Sequence, residues 1–297
     1  MKFKQWIKAA RLRTLPLSVS GILVGSALAY KYDSFNALLF ALLVVCTILL
    51  QILSNFANDL GDFQHGIDNE NRVGPQRTLQ SGGLAVAEMK RGIVIVASCA
   101  FVVGMLMLFV AFGFDTNFWI FLALGIAAIV AALRYTMGKN PYGYRGLGDV
   151  MVLIFFGFST VVGAFYIITQ TLTTQAWLLG LAIGCFSMGV LNINNLRDVE
   201  NDKISGKRTI IVKFGVSFGK VYHIAICVTG IAIFVYSLCN IMSIISLVFI
   251  ALPIFLLVAH TLRVATCSNV KCLDPELKKL SLSTFALSVL FSIALLF

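Results

Sequence analysis

The chain of 297 residues is 59% hydrophobic and only 12% charged, with a mean hydropathy of +0.92 and a formal net charge of +10. That balance excludes an ordinary soluble domain and describes a polytopic membrane protein. A nucleic-acid partner is excluded by distribution, because the basic residues are scattered over five membrane loops with no aromatic stacking platform.

In chain order, the N-terminal "MKFKQWIKAARLRTLPLSVS" is basic and amphipathic, which predicts an interfacial helix over residues 1–14 leading into the first span. A spanning helix needs about 20 mostly apolar residues. Nine windows qualify, near 15–31, 36–56, 91–112, 116–134, 147–169, 175–194, 220–239, 241–262 and 280–297. Short polar breaks such as "GFDTN" at 113–117 and "CN" at 239–240 predict tight helical hairpins. No soluble domain of useful size remains, so residues 1–297 read as one all-α integral membrane domain of nine transmembrane helices. Counting Lys and Arg against these windows puts 22 of 23 on one side and only Lys31 on the other. By the positive-inside rule that side is cytoplasmic, with the N-terminus there and the C-terminus opposite. The same charge attracts anionic membrane lipids.

Seven cysteines suggest no redox or metal framework. Cys46, Cys99, Cys185, Cys227 and Cys239 fall within or at the ends of apolar windows, where a small hydrophobe is the default. Cys267 and Cys272 share a cytoplasmic loop without histidine partners at zinc spacing. His223 and His260 stand alone in the sequence and read as packing or interface residues.

The acids are more informative. Of 13 Asp and Glu, seven fall in two short segments: Asp59, Asp62, Asp68 and Glu70 after the second window, and Asp198, Glu200 and Asp202 after the sixth. If each span continues as helix, Asn58 and Asp62 are i,i+4 neighbours, as are Asp198 and Asp202, with Asn194 and Asn195 one turn earlier. Carboxylates pointing one way repel unless cations sit between them, and Mg²⁺ suits one or two carboxylates plus substrate phosphates. One such cluster is as well explained by solvated loop acids. Two clusters, offset by four spans, predict two pseudo-repeated four-helix halves around a central cavity, with both clusters at one mouth. Basic residues accompany them: Arg72 and Arg77 in "RVGPQRTLQSGG", Lys203, Lys207, Arg208 and Lys213 in "KISGKRTIIVKFG", and Arg134, Lys139 and Arg145 beside Tyr135 and Asp149 in "ALRYTMGKNPYGYRGLGDV". Mg²⁺ bridging phosphate oxygens, with Lys and Arg neutralising the rest, would stabilise a departing pyrophosphate.

"NDLGDFQHGID" and "NNLRDVENDKISGKRTI" resemble the two aspartate-rich motifs of the UbiA superfamily of intramembrane aromatic prenyltransferases. "RTLPLSVSGILVG", "RTLQSGG" and above all "YTMGKNPYGYRGLGDVMVLIFFG" are similar to its branch acting on 1,4-dihydroxy-2-naphthoate in menaquinone synthesis. The likeness runs from about residue 10 to 215, and the last three spans match only in pattern. It implies a bacterial inner-membrane enzyme that moves a prenyl group from a polyprenyl diphosphate to the naphthoate with loss of CO₂. Asn58, Asp62, Asp198 and Asp202 match positions that hold two Mg²⁺ ions. Tyr135, Asp59 and Asp68 match the catalytic set, with Asp59 and Asp68 supporting the ligands and Tyr135 near the reactive prenyl carbon. Arg77, Lys139, Lys207, Arg208 and Asn195 fall at substrate-binding positions, and Arg13 is a candidate for the naphthoate carboxylate. His65 sits in the spacer of the first motif with no role assigned. Other aromatic acceptors of the superfamily (4-hydroxybenzoate, homogentisate, haem, a chlorin) stay open. A transporter or Mg²⁺ channel would also gather carboxylates at a helix mouth but needs polar residues through its spans. A membrane scaffold would explain the bases and not the matched acids.

Overall fold

The computed structural model describes residues 2–69, 73–239, 241 and 248–296. Glu70, Arg72, the Cys239 side chain, Asn240 of the expected 239–240 turn and the last residue of the ninth window lie outside the described residues. Helix α1 (Lys2–Ala10) ends where Arg11 takes a left-handed conformation, φ 50°, and a short turn leads to α2 (Leu15–Lys31), whose Pro16 suits a helix start. There follow α3 (Ala37–Gln64), α4 (Val86–Phe112), α5 (Thr116–Arg134), α6 (Gly148–Val152) and, after a π-helical segment at Leu153–Ser159, α7 (Thr160–Thr169). The second half continues with α8 (Thr174–Arg197), α9 (Val199–Ile204), α10 (Ile210–Cys239), α11 (Val248–Thr266) and α12 (Asp274–Ala294). Among the described residues nine helices are long and apolar enough to cross a membrane, and no strand is present.

Several helices run past the apolar windows. α3 extends to Gln64, α4 begins at Val86 and α10 begins at Ile210, with non-helical backbone at Gly215 (φ 89°, ψ 169°) marking a kink. Hydropathy locates the part of a helix that lies in lipid, while backbone hydrogen bonding continues into polar turns that water also solvates. The helix therefore carries the first acidic motif on its own last turns.

Packing follows the expected repeat. α3 packs on α4 and α4 on α5, as α8 packs on α10 and α10 on α11, while α2 and α7 meet between the halves and α12 closes against α2, α8 and α11. The basic loops gather at one end. There Lys2 pairs with Glu88 at 2.5 Å, Arg208 N–H donates to Tyr144 O at 2.8 Å and Lys271 pairs with Glu200 at 2.8 Å. At the other end Gln170 reaches Ala111 O at 3.0 Å and Tyr166 donates to Asn117 at 3.2 Å.

Without a hydrophobic drive between helices in lipid, close packing relies on small residues. Gly157 in the π segment sits against Gly180 and Gly184 of α8, where an added Cβ would lie 2.6 Å from Gly180 O and 2.9 Å from Gly184 Cα. Both obstacles are backbone and cannot rotate away. Gly157→Ala is expected to destabilise the protein by about 1–3 kcal/mol, seen as a lower thermal midpoint in detergent; an unchanged midpoint would show that the helices separate freely here.

Candidate active site

The end of α3 and the loop after it build the first wall. Asp62, 6% exposed, accepts from the Tyr144 hydroxyl at 2.7 Å and pairs with Arg77 at 3.2 Å. Arg77 also reaches Asp68 at 3.5 Å, so one guanidinium spans two acids of the same motif. Asn58 accepts from Thr136 at 3.1 Å, tying α3 to the turn that carries Tyr135. Gly61 permits this closeness, since a Cβ there would stand 2.5 Å from Thr136 O. One oxygen of Asp59 accepts the Thr78 N–H at 3.3 Å, next to Arg77, and the other is buried without a hydrogen-bond partner.

The end of α8 and α9 build the opposite wall. Asp202 pairs with Lys207 at 3.5 Å, and the Lys207 ammonium lies 5.7 Å from the centre of the Tyr144 ring. Asn201 donates to Ile67 O at 3.0 Å and thereby fastens one motif to the other. Burial pushes the Asp202 carboxyl up to about 6 against the pull of Lys207, with Asp198 and Asp62 adding to the rise. Burial opposes the charge on Lys207, but Asp202, Asp62 and Asp198 outweigh it and hold the ammonium above its ordinary range. Burial, then Asp149, Asp62 and Asp202, raise the Tyr135 hydroxyl, which stays protonated at neutral pH.

Asp198 is held from behind. Arg197, 2% exposed, clamps both its oxygens at 2.8 and 2.6 Å, donates to Asn194 at 2.8 Å and pairs with Asp274 at the start of α12. A carboxylate has about four lone-pair sites, so this clamp fixes the orientation of Asp198 without exhausting it.

Below the mouth lies a cavity of about 890 Å³. Asn58 and Tyr135 line it with Ser18, Gln51 and Ser54, further polar groups come from Thr47, Asn117 and Thr160, and most of the remaining wall is apolar. α5 packs on α3 and α4, and its flank toward the π segment borders the cavity. Ile120, Leu124 and Ile126 from α5 and Ile154 from the π segment line it while 41–57% exposed, so it opens sideways to lipid.

The residues fit Mg²⁺. The acid oxygens are hard ligands, and Asp202 Oδ2 is buried without a hydrogen-bond partner. Asp62, Asp198 and Asp202 feel one another's charge, yet among the described residues the acids do not converge on one point. Of the remaining candidates, Asn195 is buried beside Tyr135, Gly148 and Asp149, and Arg13 is exposed in the turn before α2. Lys139 and Arg208 are exposed at the loop face and in no ion pair among the described residues. His65 Nδ1–H donates to Gly61 O at 2.8 Å, and its ring packs edge-on to Tyr144 at 5.3 Å. Tyr144, Arg197, Asn201 and Thr136 were not singled out by sequence. All four lie inside motif segments, Thr136 and Tyr144 in "YTMGKNPYGYRGLGDVMVLIFFG" and Arg197 and Asn201 in "NNLRDVENDKISGKRTI".

The family model for the UbiA prenyltransferase family matches residues 18–292. The chain is 40% identical to a 1,4-dihydroxy-2-naphthoate octaprenyltransferase of Haemophilus influenzae, covering 99% of this chain and 96% of that protein. It is 42% identical to the protein of the same name from Escherichia coli over 73% of this chain and 71% of that one. Its fold is similar to a UbiA homolog from Aeropyrum pernix (TM-score 0.71, 17% identity, 96% of this chain and 98% of that one). It is also similar to a UbiA homolog from Archaeoglobus fulgidus bound to DMAPP and Mg²⁺ (TM-score 0.60, 15% identity, 96% and 99%).

Removing one partner of a buried ion pair strands the other. Arg197→Met is expected to cost about 3–5 kcal/mol, read as an early thermal midpoint; a wild-type midpoint would show that Asp198 and Asp274 need no common cation.

Proposed function

The chain belongs to the UbiA prenyltransferase family, and on that premise we propose that it transfers a polyprenyl group from polyprenyl diphosphate to 1,4-dihydroxy-2-naphthoate, releasing CO₂ and giving demethylmenaquinol. The observation that carries it is the mouth itself: two carboxylate sets interleaved with Arg77 and Lys207, next to Asn58 and Tyr135, which line an apolar cavity with exposed flanks. The relatives' shared name supplies the acceptor. Other aromatic acceptors are outcomes of the test. The transporter reading is not retained, because the cavity lining is mostly hydrocarbon and carries no charged side chain.

Asn58, Asp62, Asp198 and Asp202 would hold two Mg²⁺ ions, with Asp68 beside Arg77 supporting them. Bound there, Mg²⁺ draws charge onto the leaving diphosphate. Arg77 and Lys207 neutralise its remaining oxygens, and the exposed Lys139 and Arg208 meet the substrate as it enters. Asp59 positions Arg77 through Thr78. Tyr135 presents its ring and neutral hydroxyl where the allylic cation forms, and the surrounding hydrocarbon excludes water that would quench it. The electron-rich naphthoate ring attacks at its carboxylate-bearing carbon: a C–C bond forms, the C–CO₂ bond breaks, and that electron pair restores the aromatic ring. Asn195 supports the acceptor side, and Arg13 is assigned to its carboxylate. The prenyl tail lies along the cavity and leaves through the side opening. With 22 of 23 Lys and Arg toward the loop end, we place that end and the N-terminus in the cytoplasm and the C-terminus across the bacterial inner membrane. Residues 1–297 form one domain, with 1–14 at the interface.

Purified protein in detergent with Mg²⁺, a prenyl diphosphate and 1,4-dihydroxy-2-naphthoate is expected to form prenylated naphthoquinol and CO₂, and EDTA to stop it. Product from 4-hydroxybenzoate alone would move the acceptor; no product from either would remove the proposal. Asp62→Ala and Asp198→Ala are expected to abolish turnover in a folded protein, so wild-type rates in either would refute the metal assignment. A hydrogen bond to a charged group contributes about 1.5–3 kcal/mol. Tyr144→Phe should therefore lower kcat/KM by about 10–100-fold while leaving the thermal midpoint near wild type.

A further inference from the structure

Two histidines that stand 37 residues apart meet inside the second half. His223 Nε2 on α10 lies 3.1 Å from His260 Nε2 on α11, and Cys227 Sγ, one turn along α10, lies 3.5 Å from the same His223 nitrogen. All three residues are buried, and their ligand atoms lie within 4.8 Å of one another. The expectation that these histidines stand alone is thus corrected: helix packing joins what sequence separates. Cys227 likewise does more than fill space.

Tetrahedral coordination with Zn–N of about 2.0–2.1 Å and Zn–S of about 2.3 Å makes N···N edges of about 3.3–3.4 Å and N···S edges of about 3.5 Å. The observed 3.1 and 3.5 Å are those edges to within a small adjustment. The tautomer is set as a ligand needs. His260 Nδ1 faces Glu276 Oε2 at 2.8 Å, so its proton sits there and Nε2 presents a lone pair. Glu276 in turn binds Lys279 at 2.5 Å and Arg263 at 3.6 Å, both reaching the loop face. α8 closes the back, where a Cβ on Gly189 would stand 3.4 Å from Cys227 Sγ and 3.5 Å from His223 Cε1.

We propose that His223, Cys227 and His260 bind one borderline-soft cation of the Zn²⁺ class, with Glu276 orienting His260 from behind. Binding releases the thiol proton. The Cys227 thiolate then offsets half of the divalent charge, and Glu276, itself held by Lys279 and Arg263, faces the remainder through His260. His223 lies eight residues beyond the Gly215 kink and His260 six before the end of α11, which places the ion roughly 9–12 Å below the loop face. It is separate from the diphosphate mouth and clips α10 to α11. The hard oxygen ligands of the mouth and this thiolate–imidazole set select different metals.

Chelator-treated full-length protein in detergent, with excess Mg²⁺ to occupy the acidic mouth, would be titrated with Co²⁺ as the probe. A thiolate-to-cobalt charge-transfer band saturating at one ion per chain and displaced by Zn²⁺ is expected. Cys227→Ser should abolish the band, Glu276→Gln should weaken Co²⁺ affinity by about 10–100-fold, and Cys267→Ser/Cys272→Ser should leave it intact. No band in wild type, or one that survives in Cys227→Ser, would overturn the proposal and leave a hydrogen-bonded histidine pair. Should Cys227→Ser not fold, His260→Gln decides the same point.

Discussion

Carboxylates at the buried ends of apolar helices are the constraint on which the rest of this structure depends. Asp62, Asp198 and Asp202 are each under 10% exposed, where an uncompensated charge is too costly to keep. Every neighbouring device answers that cost. Arg77 spans Asp62 and Asp68, Lys207 meets Asp202, and Arg197 holds Asp198 from the rear. Burial outweighs the pull of Lys207 and keeps the Asp202 carboxyl raised, with Asp198 and Asp62 adding to it. A buried acidic site beside a hydrocarbon cavity is suited to a ligand that arrives with its own metal ions and carries its own lipid tail.

The cavity depends on incomplete packing that water-soluble folds avoid. Among the described spanning helices α5 is the least covered by the rest of the protein, and the π-helical segment lines the same cavity. In water such a flank would be a large exposed apolar patch. In a bilayer it carries no penalty, and the same absence of contact becomes an entrance for a long hydrocarbon chain.

The spans were legible because a run of about 20 apolar residues matches the thickness of a bilayer and exceeds what a buried soluble helix usually needs. The acid clusters were legible because i,i+4 spacing on a helix is directional. Helix ends were less so, since Val86 and Ile210 begin in polar turns that hydropathy does not count. Orientation of single side chains was hidden too. Asp59 and Asp62 look alike in "NDLGD", yet a rotation of three residues turns one to the loop backbone and the other to the mouth. Arg197 sits between Asn194 and Asp198 in plain view, but its bond to Asp274 depends on α12 packing against α8, a contact 77 residues away in sequence. The meeting of His223 with His260 was hidden for the same reason.

One turn of helix connects these long-range features. α12 begins with Asp274, Pro275 and Glu276, an acidic first turn that the helix N-terminus favours electrostatically. Asp274 reaches Arg197 and so bears on Asp198 at the mouth, while Glu276 reaches His260 and so bears on the cluster with His223 and Cys227. The start of α12 is thus common ground between the acidic mouth and the histidine–cysteine cluster below it. Its two carboxylates, read from sequence alone, would pass as ordinary helix-start acids. Their partners show that this turn backs Asp198 through Arg197 and ties α12 to His260 of α11.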